Sequence, residues 1–255
     1  MTTTSPILVT GGTGTLGSHV VPLLRESGHE VRVLSRHDRA AGDGVEYVAA
    51  DLLKGEGIEP ALEGVETVLH LAGGPKGDDE ATRNLVRAAS RAGVRHLVYI
   101  SVIGADTIPV KWLSSKLAAE QAVADSGIPW TTLRAAQFHE LTLKTVRGMA
   151  KLPVIPVPGG LRLEPVDSRE VAARLVELTL AGPAGLVPDL AGPTVYDLAE
   201  LIRGYLKASG KRRPKMPVRL PGKAGRAYRA GENLAGAGAT RGKLSWEDFL
   251  AEHVG

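Results

Sequence analysis

The chain has 255 residues, 43% hydrophobic and 23% charged, with 31 Lys+Arg against 28 Asp+Glu and no cysteine. That length supports one large α/β domain or two small ones around a substantial core, and the composition is that of a globular chain, not a disordered one. The missing cysteine excludes disulfides, zinc ribbons, iron–sulfur clusters and thiol catalysis, no apolar run reaches the roughly 18 residues of a membrane helix, and the polar residues 1–5 lack secretory character, so a soluble cytoplasmic protein is expected.

Residues 6–10 (PILVT) form a short apolar run ending at a glycine cluster, the pattern of a buried first strand. Leu16, Val20, Leu23 and Leu24 then recur at helical spacing until Gly28 stops the helix. Residues 30–35, 45–49 and 67–72 read as the second, third and fourth strands, the last followed by a helix over 79–92 that ends at Gly93. Residues 96–102 are the fifth strand, 111–126 a helix closed by Gly127, and 130–135 (WTTLRA) the sixth strand. Strands alternating with helices indicate a parallel sheet covered on both faces. Six of them joined by right-handed crossovers predict an α/β fold, a Rossmann-type doubly wound parallel sheet, over residues 1–135.

Beyond Ala135 the punctuation changes. Pro153, Pro156 and Pro158 interrupt the chain, and 161–166 reads as a short strand. Asp167 with Glu170 has the spacing of an N-terminal cap for a helix carrying Val171, Leu175 and Leu178, and Thr194 with Asp197 the same for a helix carrying Leu198, Leu201, Ile202 and Tyr205. The Gly/Ala-rich stretch 231–242 predicts a mobile loop, and Ser245 with Asp248 caps a last short helix around Trp246, Phe249 and Leu250. Residues 136–255 are thus expected to form a smaller α/β lobe packed as one unit with the core. Nine Lys/Arg and no acidic residue fall between Lys207 and Arg229. With Tyr228 as its only aromatic this stretch reads as a solvated face; nucleic acid is not expected.

The chemistry concentrates at Gly11-Gly12-Thr13-Gly14-Thr15-Leu16-Gly17, directly after the first strand and opening the first helix. Gly11 permits the tight turn, Gly14 lets the backbone approach a pyrophosphate, and Gly17 lets helix and strand pack closely. The helix N-terminus offers N–H groups and a partial positive charge to the phosphates. An NAD-reading chain places Asp or Glu at the end of the second strand; here stand Ser35 and Arg36. A guanidinium binds a 2′-phosphate where a carboxylate would repel it, so NADP(H) is the expected cofactor. No HExxH or comparable cluster is present, and no metal is expected.

The GxxGxxG spacing resembles the short-chain dehydrogenase/reductase superfamily in its extended and atypical branches. Tyr99-Ile-Ser101-Val-Ile-Gly104, residues 126–134 (SGIPWTTLR) and residues 189–193 (DLAGP) look like NmrA-like members. The resemblance implies that Asp51-Leu52 meets adenine and that Leu71-Ala72-Gly73 passes beneath the cofactor. It further implies that Ser101 orients an acceptor, that Lys116 holds the nicotinamide ribose, and that Phe138 and His139 line the substrate pocket with Trp112. In the superfamily a tyrosine four residues before that lysine protonates the carbonyl oxygen; here the position holds Trp112, whose indole cannot exchange a proton near neutral pH. The expected function is an NADP(H)-dependent oxidoreductase that passes hydride to a small acceptor such as a quinone or carbonyl compound. The alternative is a non-catalytic NADP(H)-binding redox sensor that acts on a regulatory protein.

Overall fold

The computed structural model describes residues 5–37, 39, 40, 42, 44–74 and 76–254; the polar start of the chain before Ser5 lies outside the described residues. Strand β1 (Ile7–Thr10) is buried along its whole length, which is why its sequence runs apolar without alternation. It pairs in parallel with β2 (Val31–Ser35) on one side and β4 (Thr67–His70) on the other, setting Val9 opposite Val33 and Leu69. With β3 (Val45–Ala49), β5 (His96–Val102) and β6 (Trp130–Ala135) the spatial order is β3-β2-β1-β4-β5-β6. This is the predicted doubly wound sheet, with its order reversing between β1 and β4.

Three two-residue strands beyond the predicted six extend that sheet. Gly185–Leu186 (β9) pairs with β6, Leu190–Ala191 (β10) pairs with Ala135 of β6, and Thr240–Arg241 (β13) lies outside β10, all in parallel. The connecting helices are α1 (Gly17–Glu26), α2 (Ile58–Ala61), α3 (Asp78–Arg91) and α4 (Lys111–Ala124). Further along come α5 (His139–Met149), α6 (Ser168–Ala181), α7 (Leu198–Ala208), α8 (Gly222–Ala230) and α9 (Trp246–His253).

The chain forms two compact units that interleave in sequence. One comprises Met1–Ser101, Ser114–Leu133 and Val171–Val187; the other comprises Val102–Leu113, Arg134–Glu170 and Pro188–Gly255. The sequence alone suggests a single passage after Ala135; in the structure α4, β6 and α6 each run across the division. The first unit packs Leu8, Val68, Leu97 and Tyr99 from the sheet against Ile58, Leu85, Ala89 and Val123 from its helices. The second is built around Trp246, Phe249, Leu201, Ile202, Tyr205, Val146 and Ile155. There the Trp246 indole donates to the Leu201 carbonyl at 3.2 Å, so its polar atom is satisfied where it is buried.

Three local expectations are corrected. The cap of α7 is Asp197 with Glu200, not Thr194 with Asp197: the Glu200 carboxylate accepts from the Asp197 N–H at 2.8 Å. The strand expected over 161–166 shrinks to β8 (Arg162–Leu163), which pairs antiparallel with β11 (Tyr196–Asp197), and a separate parallel pair joins β7 (Ile155–Pro158) to β12 (Lys215–Val218). The stretch 231–242 is tied down: Asn233 donates to the Arg162 carbonyl at 2.7 Å, Ala235 N–H to Glu164 at 3.2 Å, Arg241 pairs with Glu164, and β13 joins the sheet. Ser245 with Asp248 does form the expected capping box of α9.

Candidate functional site

In the first unit the carboxyl ends of β1 to β5 deliver most of the residues singled out from sequence to one edge of the sheet, where open α/β sheets bind their ligands. Gly11 (φ +70°) makes the turn out of β1, and a Cβ there would stand 2.6 Å from the Ala72 nitrogen. Thr13, Gly14 and Thr15 are exposed, while Leu16 and Gly17 are buried at the start of α1. No side chain caps α1 and no acidic residue stands in its first turn. The loop and helix end therefore fit a dinucleotide's diphosphate, with donors unclaimed by any cap and no carboxylate opposing the charge.

At the end of β2, Ser35 is buried and its hydroxyl accepts the His37 N–H at 3.3 Å. Arg36 is exposed and forms no ion pair among the described residues. After β3, the Asp51 carboxylate accepts from the N–H groups of Leu53 and Lys54, at 2.9 and 3.2 Å. Asp51 thus shapes its own turn, and Leu52 is buried in the core.

The loop after β4 rests on a hydrogen-bonded chain that the sequence did not reveal. Ala72 N–H donates to the Thr10 hydroxyl at 3.1 Å, and Thr10 meets His70 Nδ1 at 2.6 Å. The chain continues from His70 Nε2 to the Thr82 hydroxyl at 2.9 Å, so both ring nitrogens are engaged. Burial, with the nearby Lys116 charge adding to it, holds the His70 pKa down at about 3, so the ring is neutral.

Lys116, on α4, is buried. Its ammonium lies 3.0 Å from the Asp78 carboxylate, with side-chain exposures of 10% and 7%. It also donates to the Tyr99 hydroxyl at 3.4 Å. Asp78, first residue of α3, accepts the Gly74 N–H at 2.6 Å. A Cβ on Gly73 would come within 3.0 Å of the ammonium, so the lysine sits directly against this glycine loop. Burial, then Asp78 and Glu120, push the Tyr99 phenol far above its ordinary range, and Tyr99 does not substitute as an acid for the missing tyrosine. Ser101, near the end of β5, is buried and its hydroxyl makes no hydrogen bond among the described residues.

Trp112 stands one helical turn before Lys116 on α4 and is 41% exposed. In the second unit Phe138 is the N-cap residue of α5 and is half-buried. His139, expected to line a substrate pocket, is fully buried against the stacked pair Trp246 and Phe249, with ring centroids at 5.8 and 5.1 Å. Its Nδ1 is 3.9 Å from Asp167, and burial lowers its pKa despite that carboxylate. Tilted ring packing in the core is what its position supports. Asp78, His70 and Thr10 are the residues that sequence reasoning missed; the Gly-Gly pair followed by an aspartate at the helix start was the one local signal, and it marks Asp78.

Among the described residues no group of three His, Asp or Glu is placed to hold a metal ion, and no helix is long and apolar enough to cross a membrane. Residues 11–178 match the model of the NAD(P)H-binding family. The chain belongs to that family. It is 34% identical over 201 residues to the (4-alkanoyl-5-oxo-2,5-dihydrofuran-3-yl)methyl phosphate reductase of Streptomyces griseus, covering 76% of this chain and 70% of the relative. It is 29% identical over 214 residues to quinone oxidoreductase 2 of Escherichia coli, covering 80% and 75%. The solved structure of an NADPH-dependent quinone oxidoreductase from Escherichia coli, complexed with NADPH, superposes with a TM-score of 0.81. That likeness spans 96% of this chain and 99% of the other at 23% identity, and it shows the shared fold.

Proposed function

We propose that the protein is an NADPH-dependent oxidoreductase that passes hydride to a small acceptor such as a quinone or carbonyl compound. The observation that carries this reading is the pairing of an uncapped phosphate loop, with no acidic residue in the first turn of its helix, with an Arg36 at the end of β2 that is exposed and unpaired among the described residues. The loop N–H groups hold the diphosphate, and Arg36 with the Ser35 hydroxyl takes the 2′-phosphate. Lys116, against Gly73, holds the nicotinamide ribose, and Asp51-Leu52 flanks the adenine. When bound, NADPH supplies the hydride. The free Ser101 hydroxyl orients the acceptor. Trp112 cannot release a proton and Tyr99 is too weak an acid, so water supplies the proton. The protein's contribution is placement of the two reactants. The names of the Streptomyces griseus and Escherichia coli relatives, a reductase and an oxidoreductase, support the same reading.

Titration with NADPH and NADH, followed by NADPH oxidation against quinones and aldehydes, tests this. Tight NADPH binding with turnover is the expected result. Tight binding without turnover favours the second reading, a redox sensor for a regulatory partner, which the tryptophan at position 112 supports.

A further inference from the structure

We infer that the second unit holds a binding site for a small organic dianion, in a cavity where α5, α7 and α9 end. The cavity measures about 470 Å³ and is lined by Arg147, Lys151, Tyr205, Ser209, Lys211 and His253 together with small apolar residues, none of them assigned to the nucleotide. Among the described residues no Asp or Glu lines it. Arg147, Lys151 and Lys211 are exposed and make no ion pair among the described residues. Glu252, beside His253, is taken up by Arg169 at 3.0 Å.

Two further groups are set for a ligand. Tyr205 is 2% exposed, yet its hydroxyl has no hydrogen-bond partner among the described residues. A buried phenol ordinarily finds one. The Lys211 ammonium stands over the Tyr205 ring, 5.8 Å from its centroid. His253 Nδ1 donates to the Phe249 carbonyl at 2.9 Å, and its ring stacks on Phe249 with centroids 4.1 Å apart. The imidazole is thereby held in place, with Nε2 unclaimed among the described residues.

Charge decides what such a cavity takes. Ala150, Ser209 and Val254 are the C-cap residues of α5, α7 and α9. Each helix C-terminus carries roughly half a negative charge, so the three supply about −1.5 against three permanent cations and leave an excess of about +1.5. The attraction of helix ends for cations thus accounts for only part of what gathers here. One carboxylate leaves some of the excess uncovered; a dianion covers it. Guanidinium, ammonium and phenol can all donate, which selects an oxyanion. The volume exceeds a bare inorganic ion and falls in the range of small-molecule sites, so the ligand is a phosphomonoester or a polycarboxylate. Lys211 belongs to the basic stretch 207–229, which supplies one wall of the site.

Calorimetric titration of the full chain at low ionic strength, with phenyl phosphate, citrate and acetate, tests this. One saturable site for phenyl phosphate or citrate, with acetate at least about tenfold weaker, is the expected result, and the tighter of the two identifies the head group. Arg147→Gln combined with Lys211→Gln should weaken that binding by about tenfold or more, the scale of a lost charged hydrogen bond. Tyr205→Phe, which removes only the hydroxyl, should weaken it by about three- to tenfold. Lys144→Gln combined with Lys215→Gln removes the same charge elsewhere in the unit and should change it by about twofold or less. Gly14→Ala, in the phosphate loop, should leave it unchanged. No saturable binding of either polyanion, equal losses in the two double variants, or a loss confined to Gly14→Ala overturns the inference.

Discussion

A Cβ on Gly17 would stand 2.4 Å from the carbonyl oxygen of Gly11, so the two ends of the phosphate loop meet backbone against backbone. Gly14 is different: a Cβ there meets only the Gly11 oxygen, at 3.4 Å. Gly17→Ala is therefore expected to cost about 1–3 kcal/mol of stability and to abolish NADPH binding. Gly14→Ala should leave stability almost unchanged while weakening NADPH by tenfold or more, because the methyl group enters the path of the diphosphate. Urea unfolding and fluorescence titration separate the two; an equal loss of stability in both variants contradicts this division of labour.

Arg36 is exposed and unpaired among the described residues, so its removal leaves no orphaned partner behind. Arg36→Asp should weaken NADPH binding by about 10- to 100-fold, the worth of a charge-assisted hydrogen bond, with little effect on NADH. Equal losses for both nucleotides would remove the basis for NADP(H) preference.

Trp112→Tyr restores a phenol one turn before Lys116. Aldehyde reduction should rise, but by less than the 100-fold that marks the lower range for a positioned general acid, because Asp78 still cancels the ammonium. Combining Trp112→Tyr with Asp78→Asn should exceed the product of the single effects, as residues acting in one network do. Steady-state kinetics on the four proteins decide it, and strict additivity counts against the coupling.

The acid dependence of stability follows from His70. Unfolded, its ring takes a proton below about 6.5; folded, only below about 3. Between those values the unfolded chain binds a proton the folded chain refuses, so stability is full above pH 6.5 and falls as the pH drops. One such histidine contributes a slope of about 1.4 kcal/mol per pH unit. The buried His96 and His139, also held below their ordinary value, act in the same direction. Denaturant unfolding between pH 6 and 4.5, above the range where Asp79 and Asp167 protonate in the unfolded chain, should show a steep fall that His70→Asn makes shallower by that amount. An unchanged slope refutes it.

The sheet was legible because its strands are short apolar runs bounded by glycine, and the order followed from right-handed crossovers. The phosphate loop was legible because each glycine has a steric task. The helix α5 was not read, although Leu143 and Val146 carry its buried face, because the stretch begins with polar and aromatic residues that resemble a loop. The helix α8 was hidden by glycines and cations, yet it buries Ala227 against Ile108 and Leu113. The partner of Lys116 was out of reach, because Asp78 lies on another helix far away in the chain. The stretch 231–242 looked loose because its anchors, Glu164 and Arg162, are far away in the chain.

The pairing of β13 with β10 has a bearing on how this molecule keeps to itself. An open sheet edge is an invitation to a passing chain, and the longer its run of free N–H and C=O groups, the stronger the grip it offers. At this end the final strand is only Thr240 and Arg241, both exposed, with the arginine drawn to Glu164. A would-be neighbour finds two rungs and a charged side chain, too short a ladder to climb. The C-terminal stretch thereby works as a stopper against edge-to-edge aggregation.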